Sequence, residues 1–555
     1  MENSLTLLLE RCEQDGTAPN FIVDPNSYKA KKTSFFKQTK MVLTDPVKYK
    51  CDGEEIFVVS DLHIAAGRNK AGVFSGTENF FADESFARFL DHAQKIKKTD
   101  NAILIINGDI FDFLRVTDFP GKIRKPRIAK QFKHFLKFNP LNIDSNFYDS
   151  VTEEYKEWRD ELAKIGINKS ITELEASISK KERSYGLKTN DYKTIYKLIK
   201  IRKGHKPFFD ALANWLNNGN KIIILKGNHD LEIYWLNVRN YLRLILGESI
   251  ADANEENNLE EILSNKVLPN IQFVDDSILI DDDFYVEHGH RYDKFTMILD
   301  EPTLKEKPDE LNIPFGSFFN RYLLNRIELF YPYLDNVRPT ANVLPMLMRE
   351  NFPLAIKVLL HHIPFMVKIL FKNMRYLWFV FQKVVLFILA ILLPLITAII
   401  IVVNSFSADI GDQALLVEDK GFFSLVIDQF KSVGMLLLSY LLSRAVAWFQ
   451  ISEPSSLNKC AQNRLKGTDY RIMTMGHTHN PGEYIFEENK RFYNTGTWIP
   501  VVETSSADIR QDKTYTFLHL ERDADGKLQP ADNGLLSRWN DDAERFERQV
   551  LIKKK

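Results

Sequence analysis

Five short polar clusters hold the residues of this chain that can do chemistry. They are Asp61-Leu62-His63, Gly108-Asp109-Ile110-Phe111-Asp112, Gly227-Asn228-His229-Asp230, His288-Gly289-His290 and Gly476-His477-Thr478-His479. Their carboxylates, imidazoles and single amide oxygen form a hard-to-borderline ligand set. Such a set suits Mn, Fe or Zn and lacks the soft thiolates that select copper. Each cluster alone carries little, since Asp-x-His is commonly a surface loop, Gly-Asp a turn and His-Gly-His incidental. What calls for explanation is that all five occur together, each directly behind an apolar run. The glycines let the backbone turn tightly after each run and approach a ligand closely.

The apolar runs are Ile56–Val59, Ile103–Ile106, Ile222–Leu225, Tyr285–Val286 and Ile472–Met475. Runs that are apolar throughout read as strands buried on both faces. Further strands are expected at Arg491–Asn494 and Thr514–Leu520, and helices at Phe80–Ile96 and Pro207–Leu216. Strands alternating with helices predict an α/β fold with covered sheets. In such sheets ligands bind beyond the carboxyl ends of the strands. Clusters hundreds of residues apart would therefore converge on one site.

The set resembles the signature of calcineurin-like metallophosphoesterases over about residues 55–300 and 455–525. The resemblance implies a four-layer α-β-β-α sandwich of two mixed sheets. It also implies a pair of divalent ions, Mn, Fe or Zn. Asp61, His63, Asp109 and His479 would hold one metal, and Asp109, Asn228, His288 and His477 the other, with Asp109 bridging. His229 would face the substrate phosphoryl group. Asp112 and Asp230 are both candidates to orient it, Asp112 preferred, with an ordinary loop carboxylate as the competing role of each. Asp230 and His290 are candidates at the substrate, and His290 also has the competing role of a group behind the ligands. Asn494-Thr495-Gly496-Thr497 resembles the closing strand and turn and is expected to be structural. Two such metals generate hydroxide near neutral pH and clamp phosphoryl oxygens, so hydrolysis of a phosphate ester or anhydride is the implied chemistry. Within the family, the second and fourth clusters are most similar to the UDP-2,3-diacylglucosamine pyrophosphatase group, which cleaves a nucleotide–sugar–lipid pyrophosphate.

The chain has 555 residues, 45% of them hydrophobic, which is more than one ordinary core needs. Three cysteines in no paired spacing argue against a disulfide framework and a thiolate zinc site, and for a reducing compartment. The net charge of −1 hides local asymmetry. Residues 116–205 read as a charged helical insertion with two basic clusters. One is Lys122, Arg124, Lys125, Arg127, Lys130 and Lys133, and the other Lys197, Lys200, Arg202, Lys203 and Lys206. These form either a solvated helical face or a patch for anionic substrate or lipid headgroups.

Residues 301–455 read as a membrane-associated insertion. Val384 to Val403 is a run of twenty residues without a charge, enough to span a bilayer. Clusters on both sides of the insertion must meet, so the chain crosses an even number of times. About 422–449 is the candidate return, and a re-entrant or monotopic hairpin satisfies the same parity. Lys368, Lys372, Arg375 and Lys383 before the hairpin, and Arg444, Lys459, Arg464 and Lys466 after it, place the catalytic part in the cytoplasm by the positive-inside rule. The remaining segments are an N-terminal extension, 1–54, and a charged C-terminal tail, 526–555. Three functions follow as alternatives. They are a membrane-anchored phosphoesterase or pyrophosphatase acting on a phosphorylated small molecule or a lipid-linked substrate, a phosphodiesterase or nuclease acting on nucleotides or nucleic acid, and a non-catalytic membrane scaffold.

Overall fold

Alternation along the central strands decides the layering. In the computed structural model, strand β2 (Glu55–Val59) is buried along its whole length. Ile56 and Val58 face one way and Phe57 and Val59 the other, as the period of two in a strand requires. The structure describes residues 45–123, 145–256, 258–293, 296–298, 301–325, 337–338, 349, 351–357, 457–486, 490–503, 513–531 and 535–549. The chain divides into two compact units, 1–336 with 456–555, and 337–455. The site lies in the first. The second includes the short helix Phe352–Lys357.

In the first unit the strands of the two large sheets are β1 (Val47–Tyr49), β2, β3 (Ala102–Asn107), β4 (Lys221–Leu225), β5 (Ile271–Val274), β6 (Ser277–Ile280) and β7 (Phe284–Glu287). They continue with β8 (Ile472–Met475), β9 (Gly482–Ile485), β10 (Arg491–Asn494), β11 (Thr516–Arg522), β12 (Leu528–Pro530), β13 (Ser537–Asn540) and β14 (Arg545–Arg548). One sheet is eight-stranded, ordered β14-β13-β11-β2-β3-β4-β5 with β12 beside β11. Its β2, β3, β4 and β5 are mutually parallel, and β11 is antiparallel to β2. The other is six-stranded, ordered β1-β6-β7-β8-β10-β9, with β7, β8 and β10 parallel.

The two sheets pack face to face. Ile56, Val58, Ile103, Ile105, Ile223 and Leu225 of the first meet Ile278, Ile280, Phe284, Val286 and Ile472 of the second. The outer face of the larger sheet is covered by α1 (Asp83–Ile96), α2 (Ser145–Lys164), α3 (Asp191–Gly204), α4 (Lys206–Asn217) and α5 (Leu236–Asn254), which belong to its hydrophobic cluster. The smaller sheet is covered by α6 (Leu457–Leu465) through Leu457, Ala461 and Leu465. The chain is thus α/β with two mixed sheets between helices.

Several expectations need correction. The insertion 116–205 is not a set of surface helices, because Tyr155, Trp158, Leu162, Ile195, Leu198 and Ile201 join the main core. Its second basic cluster is not an open cationic patch either. Lys197 pairs with Glu232, Lys200 with Glu154, Arg202 with Glu248, Lys203 with Glu157 and Lys206 with Asp210. In the first basic cluster only Lys122 lies among the described residues. The supposed charged tail contributes β12, β13 and β14, and Trp539 is fully buried. The supposed N-terminal extension supplies β1, which pairs with β6. Residues 301–325 belong to the first unit, and the second unit begins at Val337 rather than at 301. Among the described residues no helix is long and apolar enough to cross a membrane. The runs 384–403 and 422–449, on which the hairpin expectation rests, lie outside the described residues.

Candidate metal centre

Parallel register brings the ends of β2, β3 and β4 level, since Val59 lies opposite Ile106 and Ile106 opposite Ile224. The loops beyond them are then fastened to each other. Asp61 N donates to Gly108 O (3.2 Å), His63 N to Asp109 O (2.8 Å) and Ile64 N to Ile110 O (3.0 Å). On the other sheet Gly476 N donates to His288 O at 3.0 Å, and Asn494 Nδ2 to Gly476 O at 2.9 Å. The two halves are joined by His477 N, 3.1 and 3.0 Å from the Asp61 carboxylate oxygens. Thr497 Oγ1 donates to Asp61 O at 2.7 Å, so the closing turn is structural as expected.

Five residues here adopt left-handed backbone. They are Asp61 (φ 54°), His63 (50°), Asp109 (55°), His477 (68°) and His479 (53°). That conformation costs a non-glycine residue about 1–2 kcal/mol. It persists only where surrounding bonds enforce it, and such residues gather at functional sites.

The side chains converge. His63 Nε2 lies 2.9 Å from His479 Nε2, 3.8 Å from Asp61 Oδ1 and 3.7 Å from Asp109 Oδ2. His479 Nε2 is 3.3 Å from Asp61 Oδ1. Asp61, His63 and His479 therefore form one group able to hold a metal ion, Asp109, His288 and His477 a second, and His63, Asp112 and His229 a third that shares His63 with the first. His288 Nδ1 sits 2.8 Å from the Asn107 carbonyl oxygen, which can only accept, so it carries the ring proton there. Its Nε2 then meets Asp109 Oδ2 at 3.1 Å. Two lone pairs at that separation are stable only with a proton or a cation to share. Among the described residues Asn228 Oδ1 is buried with no hydrogen-bond partner, as a ligand oxygen would be without its ion. The donor set thus fits the divalent pair the sequence implied.

Electrostatics point the same way. Burial pushes the Asp109 carboxyl up, yet the His288 and His229 imidazoles outweigh it and hold it well below the usual carboxylate range. Asp61 and Asp112 are likewise held down, against burial, by His288 and by His229 respectively. Burial would lower His63, but Asp112 and Asp61 raise it to about 10. His288 is raised to about 9 against burial by Asp109 and Asp61. Three buried carboxylates demand positive charge, and in the metal-free protein protons supply it.

His229 stands beside this cluster, its ring edge-to-face with His63 at 4.6 Å. Its Nδ1 lies 2.7 Å from Asp112 Oδ2, and its backbone N donates to Asp109 Oδ1 at 2.8 Å. Asp112 is therefore the carboxylate that orients His229. Asp230, expected at the substrate, is fully buried and accepts from Gly227 N (2.6 Å) and Ile110 N (2.9 Å). It stitches two ligand loops together. Burial, then the Asp109 charge, raise its carboxyl to about 7. His290 stands behind His288 with ring centres 5.5 Å apart, and its buried Nδ1 has no hydrogen-bond partner among the described residues. Among the described residues it joins none of the metal-capable groups.

Sequence reading missed Asp293 and Thr296, whose side chains reach His477 Nε2 at 3.5 and 3.4 Å. The signal available was only proximity to His288-Gly289-His290, from which a 3₁₀ turn, His290–Tyr292, leads into Asp293. A further metal-capable group, Glu55 with His519 and Glu521, lies at the opposite end of β2. Its atoms already have partners, with His519 Nε2 on Glu55 (2.9 Å), Lys98 N on Glu55 (2.7 Å) and Lys98 Nζ on Glu521 (2.8 Å). No protein-family model, curated protein or solved structure matches the chain.

Proposed function

We propose that the chain is a dinuclear-metal-dependent hydrolase of a phosphate ester or anhydride, related to the calcineurin-like metallophosphoesterases. The observation that carries the reading is the convergence of Asp61, His63, Asp109, His288, His477 and His479, from four strand ends, into two adjoining groups with crowded acceptor atoms. Asp61, His63 and His479 would hold one ion and Asn228, His288 and His477 the other, with Asp109 reaching both. When bound, the ions would supply Lewis-acid polarisation of phosphoryl oxygens and lower the pKa of water.

The chain's own groups do the rest. Asp112 accepts from His229 Nδ1, which fixes the ring and leaves Nε2 for the substrate. Against burial, Asp112 and Asp109 raise the His229 pKa, which favours the protonated form that donates to a leaving oxygen. A scaffold that merely stored metal would have no use for this pair. Ion pairing of the second basic cluster of the insertion weighs against the nuclease alternative, because Lys and Arg held by carboxylates have less charge to offer a phosphate backbone. In this reading the uncharged run 384–403 anchors the protein in a membrane with the site on the cytoplasmic side, and a lipid-linked pyrophosphate is the favoured substrate.

The test is Mn²⁺-dependent hydrolysis of bis(p-nitrophenyl) phosphate, a UDP-linked glycolipid and single-stranded DNA by metal-reconstituted protein. Turnover of the glycolipid above the others supports the reading. No hydrolysis of any phosphate compound, by protein that has taken up two ions, would leave only the scaffold.

A further inference from the structure

A metal-binding imidazole needs something to hold its second nitrogen, because that contact fixes ring rotation and tautomer. For His288 it is the Asn107 carbonyl. For His477 the neighbours are side chains. Nε2 lies 3.5 Å from Asp293 Oδ2 and 3.4 Å from Thr296 Oγ1. A carboxylate can only accept. The Thr296 hydroxyl has its own acceptor in the His290 carbonyl oxygen at 2.9 Å, which leaves its lone pairs for His477. Both neighbours therefore act as acceptors, and Nε2 must carry the ring proton. Nδ1 is then the nitrogen with a lone pair to offer. The distances are long, as contacts in ligand-free sites commonly are before a ligand tightens them.

The local backbone explains why these two residues arrive there. Gly289 (φ 103°) reverses the chain after His288, and the turn His290–Tyr292 follows. Asp293 N donates to His290 O at 3.1 Å, and Thr296 N to Asp293 O at 3.1 Å. The loop beyond β7 thus offers one imidazole, His288, and grips another, His477, from the loop beyond β8.

We propose that Asp293, assisted by Thr296, is a positioning residue that holds His477 in the Nε2–H tautomer with Nδ1 turned to the metal. This inference rests on the metal-centre reading above.

The probe is Mn²⁺ alone, titrated into metal-stripped protein and followed by calorimetry and electron paramagnetic resonance. Asp293→Ala is expected to weaken one of two Mn²⁺ equilibria by about 10–100-fold. The other equilibrium should stay within about twofold, and the Tm of the metal-free protein should not move. Thr296→Val should weaken the same equilibrium less. Asp293→Asn, which keeps an oxygen acceptor, should restore part of the loss and carries the test if the alanine variant does not fold. In a His477→Ala background, Asp293→Ala should cost nothing further. The inference is overturned if the unaltered chain binds two Mn²⁺ and both affinities survive in Asp293→Ala and Asp293→Asn. It is equally overturned if the Asp293→Ala loss persists in full without His477. An unaltered chain that takes up no pair of Mn²⁺ sinks the metal-centre reading itself, and the inference with it.

Discussion

Replacing Gly227 by alanine adds one methyl group where the site has no room. A Cβ there would lie 2.5 Å from the Asp109 amide nitrogen and 2.8 Å from its carboxyl carbon, and closer still to Oδ1. Relaxed non-bonded carbon contacts fall near 3.5–4.0 Å, so the Asp109 carboxylate and the Gly227 loop must separate by about 1 Å. Gly227 lies outside the left-handed region, so alanine adds crowding without backbone strain. Overpacking of this kind costs about 1–3 kcal/mol of stability, which a folded variant survives. Function is less tolerant. Asp109 touches His288 Nε2, faces His63 Nε2 and accepts from His229 N, so its displacement disturbs both metal-capable groups and the proposed acid. Misplacement by about 1 Å can cost about 10²-fold in rate. Gly227→Ala should therefore lower kcat/KM on bis(p-nitrophenyl) phosphate by roughly that factor and weaken Mn²⁺ uptake, while circular dichroism shows a folded protein. Gly72→Ala is the control. Gly72 has φ 77° with nothing within 4 Å of its added carbon, so it loses about 1–2 kcal/mol in strain and no activity. A folded Gly227→Ala with unchanged Mn²⁺ affinity and turnover would refute the claim that this glycine exists to let Asp109 approach.

His229→Ala should lower turnover by about 10²–10⁴-fold while metal analysis finds both ions retained, and loss of both ions would contradict its assignment as an acid rather than a ligand. Trp539→Ala should destabilise the first unit by about 3–5 kcal/mol in urea melts, because the ring is fully buried, and a change under 1 kcal/mol would restore the view of residues 526–555 as a tail outside the core. His205 bridges Glu78 and Asp83 at 3.0 and 2.8 Å, and these carboxylates outweigh burial to raise it to about 9. Its folded value exceeds its ordinary 6.5, so it contributes roughly 3 kcal/mol that is fully present below about pH 6.5 and lost as pH rises through about 9. His205→Gln should flatten the fall in stability between those values, and an unchanged fall would assign it to other groups.

The strand skeleton and the ligand loops were legible because two signals coincide. Ile103–Ile106 is uniformly apolar and Ile472–Met475 is broken only by Thr474, and each is followed at once by a polar, glycine-containing cluster. Nothing comparable marks β13 and β14. In Ser537–Asn540 and Arg545–Arg548, polar and charged residues surround Trp539 and Phe546, and only the fold reveals that both aromatics meet Phe89. The helix α3 misled for a related reason. Its lysines look like a solvated face until Glu182 reaches Lys193 and Glu232 reaches Lys197, both pairs buried. A window of sequence counts charges but cannot find their partners. That limit also explains Asp230, which was a candidate at the substrate and binds two amides instead, and Asp293, which carried no motif and reaches His477. The pairing bears on function as well. With Lys197, Lys200, Arg202, Lys203 and Lys206 each engaged by a carboxylate, the insertion offers little attraction for a phosphate from that stretch. The site holds Asp61, Asp109 and Asp112, all buried, whose negative charge is balanced by the neighbouring His63, His229 and His288 imidazoles. In the proposed activity, the cations that these carboxylates recruit in place of the imidazole protons would be the chief binders of substrate charge, so substrate affinity should rise with metal loading.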